Sequence, residues 1–552
     1  MKGKREVVTL LERFRRNPEE TRRAVRTELG CLKEIAAKVF ALVVFVSDGL
    51  LASQDKEATL SAVRFFSIAA RLPTELQMIL CYRVVKSAKE VILCSDSESA
   101  FRKLAVPQKF TWEQYLALLD TVPDGENVPS DSPVDFPRMV FGVLFGTFEE
   151  QLLATTFFRN FLSQESHTPI ADVISCGVIP KLVEFLSYHQ YPDLQYEAAW
   201  VFTNLTCGTS RETEVVIDAG AVPCFVNLLV SPVRTIREQA TWALGNIAGD
   251  SPRFRDVVLR CGALPPLLEF LKELVQDPEN PLLMVRTATW ALSRVCLAEI
   301  LPPDWTLVSQ ALPTLSVLLS STDEDVLTDA CLAISDLANG DDQIEAVIGS
   351  GVAQRLVELI SHKSYQIQRA ALRSVGRIAQ GTEAQIQALI DAGCLDVLAS
   401  RFNGFRETLH KDACLIVAGI TRTTTQIQAV IKANLIQPLV KVLKGTNFEA
   451  KKEAARAILN VTSGGTIEQI MYLVEQGCVD PLLGTTSTQS IHFALDILTN
   501  MLKAGEHPME KGTNLVVRAL SATDVAKIKR LEEHENHDIY VKSFHIISTY
   551  FS

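Results

Sequence analysis

The chain repeats one arrangement of apolar positions through its last two thirds. A Gly-apolar-x-Pro phrase followed by paired apolar residues occurs as GVIPKLVEFL from Gly177, GAVPCFVNLL from Gly220 and GALPPLLEFL from Gly262. It returns more loosely as ALPTLSVLL after Gln310, GVAQRLVELI from Gly351, GCLDVLASRF from Gly393, NLIQPLVKVL from Asn434 and GCVDPLL from Gly477. Successive steps are 43, 42, 48, 41, 42, 41 and 43 residues. The Gly predicts the end of one helix, and the Pro predicts the first turn of the next. Apolar residues then recur at helical spacing, with little of the alternation that marks strands. One unit of this size cannot bury its apolar face alone, so the units are expected to stack around a continuous core. The one long step carries KELVQDPENP (Lys272–Pro281), expected to be a Pro-bearing surface loop.

A second pattern rides on the first. In EQATWALGNIAGD (Glu238–Asp250), Trp242 is followed one turn later by Asn246, a poor helix former on the same helix face. At the repeat period the Trp position is held by Trp200, Trp242, Trp290, Leu332, Arg373, Leu415, Arg456 and Asp496. The position four residues on is held by Asn204, Asn246, Arg294, Asp336, Arg377, Gly419, Asn460 and Asn500. A buried Asn would need a partner, and a solvated Trp would serve nothing. Trp residues in register, with Asn one turn on, point instead to a contact surface along the concave face of the stack. Slots between rings suit long cationic side chains, which gain roughly 0.5–2 kcal/mol against a ring face. The Asn amide matches the N–H and C=O of an extended peptide backbone. Asp250 closes the same segment and can meet an ammonium group.

Composition narrows the partner. The 552 residues are 47% apolar and carry a net charge of −11, which argues against general nucleic-acid binding and favours a basic partner. VFALVVFV (Val39–Val46), the longest apolar run near the N-terminus, is too short to span a membrane. No signal-peptide core is present, and the 12 Cys form no CxxC pair, which predicts a reduced intracellular chain without disulfide or zinc framework. His534 and His537 have i,i+3 spacing but no accompanying ligand set, so no metal and no cofactor are expected. There is no Walker loop, HExxH or GxSxG, and SGG at Ser463–Gly465 reads as a helix-ending turn, so no enzyme activity is expected.

A period of about 42 residues falls among armadillo and HEAT units. The segments YEAAWVFTNLTCGTS, EQATWALGNIAGDS, TATWALSRVC and KKEAARAILNVTSGG resemble the importin-α family, the armadillo adaptors for nuclear localisation signals. The closing IKRLEEHENHDIYVKSFHIISTYF resembles that family's last repeat, and the likeness runs from about Phe136 to the end. It implies an all-α, right-handed superhelical solenoid of about ten armadillo repeats. It also implies a major signal-binding site at Trp200, Asn204, Trp242, Asn246 and Trp290, with Arg294 where the family has Asn. The family's lysine pocket matches Gly208, Thr213 and Asp250, and Gln239 matches a groove residue. The minor site is degraded: Leu415 and Arg456 replace Trp, and Arg377 and Gly419 replace Asn, although Arg373, Glu453 and Asn460 match. Single-cluster basic signals are therefore expected at the major site, with little gain from a second cluster.

The resemblance implies partners at both ends. Glu12–Gly30 faintly resembles the family's importin-β-binding segment, with the basic run reduced to Arg22, Arg23 and Arg26; a solvated amphipathic helix is the alternative. Residues 35–119 are helically patterned without assignment, 120–137 read as a linker, and 138–552 as the repeat domain with a capping, export-receptor-binding C-terminal repeat. The implied role is a nuclear import adaptor that shuttles between cytoplasm and nucleus and links basic cargo to importin-β. The second reading is an armadillo scaffold that binds acidic segments through Arg294, Arg373, Arg377 and Arg456.

Overall fold

The structure, a computed structural model, describes residues 135–551 apart from 164–168, 278–280, 299, 485–486 and 507–513. The N-terminal segment with Arg22, Arg23 and Arg26, residues 35–119, and the linker up to residue 134 lie outside the described residues. The chain divides into two compact units. One holds Met1–Ala154 with Ser175–Val178, and the other Thr155–Ile174 with Ile179–Ser552.

Of the first unit, the helix Asp135–Phe145 buries Val140 and Val143. This helix begins within the stretch 120–137 read as a linker, whose residues 120–134 lie outside the described residues. Pro137 stands in the helix's first turn, where a missing N–H costs nothing.

The second unit is helical throughout its described residues. Its eight ladder helices are α1 (Pro192–Leu205), α2 (Arg234–Asp250), α3 (Leu282–Val295) and α4 (Glu324–Leu337), then α5 (Tyr365–Ile378), α6 (Glu407–Ile420), α7 (Phe448–Gly464) and α8 (Thr488–Ala504). Each packs on the next in order, and α8 packs on the last helix, α9 (His537–Tyr550). In α1, Leu194, Ala198, Val201, Phe202 and Leu205 are fully buried. Burying one such Leu or Phe contributes about 1.5–3 kcal/mol relative to exposure. The repeats thus share one core, each lending its neighbour an apolar face.

Shorter helices fill the turns. The Gly of the repeated phrase adopts left-handed backbone at Gly220, Gly262, Gly351, Gly393 and Gly477, with φ between 75° and 82°. This left-handed residue lets the chain reverse tightly between one helix and the next. Asn434 takes the same conformation at φ 56°, the substitution that an L-residue with a short polar side chain best tolerates. Gln310 does not: a 3-10 turn at Ser309–Ala311 runs directly into the helix Leu312–Leu318. Successive units are also stitched by glutamines. The side-chain amide of Gln385 donates to the Asp341 carbonyl at 2.9 Å, Gln426 to Glu383 at 3.3 Å and Gln469 to Thr424 at 3.0 Å.

The expected loop Lys272–Pro281 is half helix. The helix Leu264–Gln276 runs through Lys272 because Leu274 extends the buried row of Leu267, Phe270 and Leu271.

Candidate functional site

Most ladder positions are partly exposed, Asp336 and Gly419 being buried. Trp242 is 39% exposed, and Trp200 and Trp290 are half-buried. No ring contact joins any two of the three among the described residues, so the rings are separate rungs. Both rungs of α3, and the asparagine rungs of α1, α2, α7 and α8, reach back onto the preceding repeat. The Trp290 ring lies against Gly245, where a Cβ would collide with it, and the Arg294 stem lies on Gly249. Asn204 donates to the Arg159 carbonyl at 3.3 Å and to Ser163 Oγ at 3.0 Å. Asn246 Nδ2 faces the Thr203 carbonyl at 3.1 Å, Thr206 Oγ1 at 3.3 Å and Cys207 Sγ at 3.2 Å. Asn460 donates to the Ala418 carbonyl at 2.8 Å, and Asn500 to Ser463 Oγ at 3.3 Å. The amide nitrogens thus hold neighbouring repeats together, satisfying carbonyls that helix ends leave open.

The residues matched to the lysine pocket gather between α1 and α2. Gly208 follows α1, and a Cβ there would meet the Glu212 carboxylate, which is held by Thr209 N at 2.7 Å and Thr209 Oγ1 at 2.9 Å. That capped turn starts the helix Ser210–Asp218, which carries Thr213. Asp250 Oδ1 accepts from Ser210 Oγ at 2.7 Å. Thr213 Oγ1 and Asp250 Oδ2 are both buried without a hydrogen-bond partner among the described residues. Buried oxygens left unpaired cost free energy and are rare. Gln239 is different: it is 6% exposed, and its Oε1 accepts from Thr203 Oγ1 at 3.2 Å. It is packed against α1 and does not stand on the exposed face.

One slot is already occupied. The Arg159 guanidinium lies 4.5 Å from the Trp200 ring centroid, with Nε 2.5 Å from Glu197 Oε2. The Trp200 ring, expected to be open, thus carries an internal cation on one face. In this contact a ring face holds the cation while a carboxylate meets its polar end. Glu197 stands three residues before its Trp and was not among the residues expected at the site. Asp329, Asp412 and Glu453 hold the equivalent place on α4, α6 and α7. Acids at i−3 from four of the eight Trp-position rungs were the available signal, since i,i+3 residues share a face.

These acids are partly desolvated. Burial pushes the Asp412 carboxyl up, against Lys411, Arg369 and Arg373. Burial pushes Asp329 up to about 6, against the pull of Arg294. The folded state therefore holds that proton more tightly than an unfolded carboxyl near 3.8. This stabilising contribution is complete below about pH 4 and is lost as pH rises through about 6. Asp329→Asn removes the titration. It is expected to stabilise the protein by about 1–2 kcal/mol near pH 7.5, discounting for partial exposure, and by less near pH 4.5. Thermal melts of both proteins at the two pH values check this.

The minor-site arginines are largely self-neutralised. Arg373 pairs with the buried Asp336 at 3.1 Å across α5 and α4. Arg456 stands 2.8 Å from Glu453 within α7, without hydrogen-bond alignment. The added positive charge expected at Arg456 is therefore offset, whereas Arg377 is exposed with no ion pair among the described residues. Gly419 is buried where α6 meets the Ala379 backbone. At the chain's end, Lys542 of α9 pairs with Asp496 at 2.5 Å. His534 Nδ1 accepts from Asn536 N at 3.0 Å, and His537 stacks on Tyr540 with ring centroids 6.0 Å apart. No helix among the described residues is long and apolar enough to cross a membrane.

Stacked helical repeats with a ladder face define an armadillo-repeat protein. Armadillo/beta-catenin-like repeats are matched at residues 166–207, 209–249, 302–338, 340–380 and 423–463, and an atypical armadillo repeat at 525–552. The crystal structure of an engineered protein superposes with a TM-score of 0.67 at 25% identity, covering 76% of this chain and 99% of that one. The chain is 45% identical over 427 residues to importin subunit alpha-4 of Arabidopsis thaliana, covering 75% of this chain and 78% of that protein. It is 46% identical over 424 residues to importin subunit alpha-1b of Oryza sativa subsp. japonica, again 75% and 78%. It belongs to the importin-α family, and its general role is that of a nuclear import adaptor.

Proposed function

We propose that the chain carries proteins bearing a single basic cluster into the nucleus. The cluster lies extended along the ladder, with one lysine in the Gly208–Thr213–Asp250 pocket and neighbouring cations between Trp200, Trp242 and Trp290. The observation that carries this reading is the pair of buried, unpartnered oxygens, Thr213 Oγ1 and Asp250 Oδ2. An ammonium group satisfies both at once and neutralises the carboxylate. Arg159 on Trp200 beside Glu197 supports the same chemistry from within the chain.

The far half of the groove adds little. Two of its ring faces are gone, and Glu453 is engaged with Arg456. Importin-β is engaged through Arg22, Arg23 and Arg26, an export receptor docks on the C-terminal repeat, and the protein shuttles between cytoplasm and nucleus. The scaffold reading loses ground because Arg373 and Arg456 already have carboxylate partners.

Fluorescence anisotropy with the full chain tests the proposal. A labelled peptide with one lysine-rich cluster is expected to bind in the micromolar range or tighter, and an acidic peptide of equal length is not. A second basic cluster is expected to tighten binding less than about tenfold, or 1.4 kcal/mol. Preference for the acidic peptide establishes the scaffold reading instead.

A further inference from the structure

Arg294 stands where the ladder elsewhere has Asn204, Asn246, Asn460 and Asn500. It is half-buried, its Cδ 3.0 Å from the Cβ position of Gly249, and Gly249 adjoins Asp250. Its Nε is buried and has no hydrogen-bond partner among the described residues. No carboxylate lies within ion-pair distance of it among those residues, whereas Arg159, Arg373 and Arg456 each have one. Asp329 feels Arg294 only from beyond ion-pair distance, with no hydrogen bond between them among the described residues. Asp250 Oδ2 is also unpartnered. Two opposite charges thus sit on adjoining helices, joined through the Gly249 contact, and do not pair with each other. A partly buried charge without a partner is costly, and the cost is recovered when a ligand supplies the partner.

We infer that Arg294 is a subsite for a carboxylate side chain of the bound peptide, so that the preferred signal carries an acidic residue a short distance from its pocket lysine. The inference rests on the proposed lysine pocket. An asparagine at this rung would offer an amide oxygen; a guanidinium offers only donors, in a fork that fits a carboxylate. The spacing follows from geometry. Neighbouring helices lie about 8–10 Å apart, and an extended strand advances about 3.3 Å per residue. The acidic residue therefore falls about two or three residues from the lysine. The long-range field opposes this preference, because the chain's net charge of −11 repels an added carboxylate. A gain in affinity therefore isolates the local contact.

The test is a set of peptides with one pocket lysine cluster, each carrying a single Glu or Gln at successive flanking positions. Each is titrated against the full chain and against Arg294→Asn. At one register, Glu is expected to bind about three- to tenfold more tightly than Gln, and Arg294→Asn brings that Glu-to-Gln ratio to about one. Arg377→Asn, which alters the other unpaired rung arginine, leaves the gain in place. The inference is overturned if Gln peptides bind but Glu never improves them, or if the gain survives in Arg294→Asn. If no lysine peptide binds at all, the pocket reading fails and this subsite fails with it.

Discussion

Asp250→Asn is expected to weaken binding of a single-cluster basic peptide about 100-fold while leaving the fold intact. The substitution keeps the side chain's shape and an oxygen for Ser210, whose hydroxyl now sits 2.7 Å from Oδ1. It removes the charge at Oδ2, which has no partner in the free chain. Losing one partner of a desolvated, hydrogen-bonded charge pair costs about 2–5 kcal/mol, and 2.7 kcal/mol is about 100-fold. In the free protein no ion pair is broken, and a buried, uncompensated charge disappears, so the melting temperature stays level or rises. Thr213→Val, which deletes the other unpartnered oxygen with little change of shape, is expected to cost about tenfold, as one hydrogen bond to a cation does. Calorimetric titration with thermal melts separates the two effects. Binding by Asp250→Asn at the wild-type level removes the lysine pocket from the account.

The repeat, the helix ends and the rungs were legible in the sequence because each depends on local rules. Glycine and, at Asn434, asparagine supply left-handed backbone, and i,i+4 spacing puts a Trp and an Asn on one face. What was not legible depends on how neighbouring helices are offset. Arg373 reaches Asp336, 37 residues back, rather than its equivalent one repeat away, so periodicity alone could not pair them. Arg159 lies before the first repeated phrase, and nothing in its sequence context announces that it covers Trp200. Gln239 sits on the turn of helix that faces α1, and only the packing shows it buried. The acids at i−3 were visible, but helix carboxylates are mostly solvated, so their partial burial was needed to single them out.

Gly419 illustrates the same limit and sets the second large effect. By sequence it is a lost asparagine, which suggests that Gly419→Asn would repair the minor site. The structure gives the opposite expectation. A Cβ at Gly419 would collide with the Ala379 carbonyl oxygen and stand 3.0 Å from the Ala379 carbonyl carbon and Cβ. The obstacle is backbone just past the end of α5, held by its own bond from Ala379 N to the Val375 carbonyl at 2.9 Å, so no flexible side chain can give way. Relief requires α5 and α6 to separate, which opens the core around Val375, Ile416 and Val417, all fully buried. Overpacking of this kind costs about 1–3 kcal/mol for a methyl-sized intrusion, and more for the larger Asn. Gly419→Asn is therefore expected to destabilise by about 3 kcal/mol or more and to leave the affinity for a second basic cluster no better than wild type. Because each repeat leans only on its neighbours, the damage should be local. Hydrogen exchange should quicken in α5 and α6 and stay near wild type in α1 and α2. Gly419→Ala should fall between the two proteins. Wild-type stability for Gly419→Asn, with tighter binding of a two-cluster peptide, would mean that the close approach of α5 and α6 is not what excludes a side chain there.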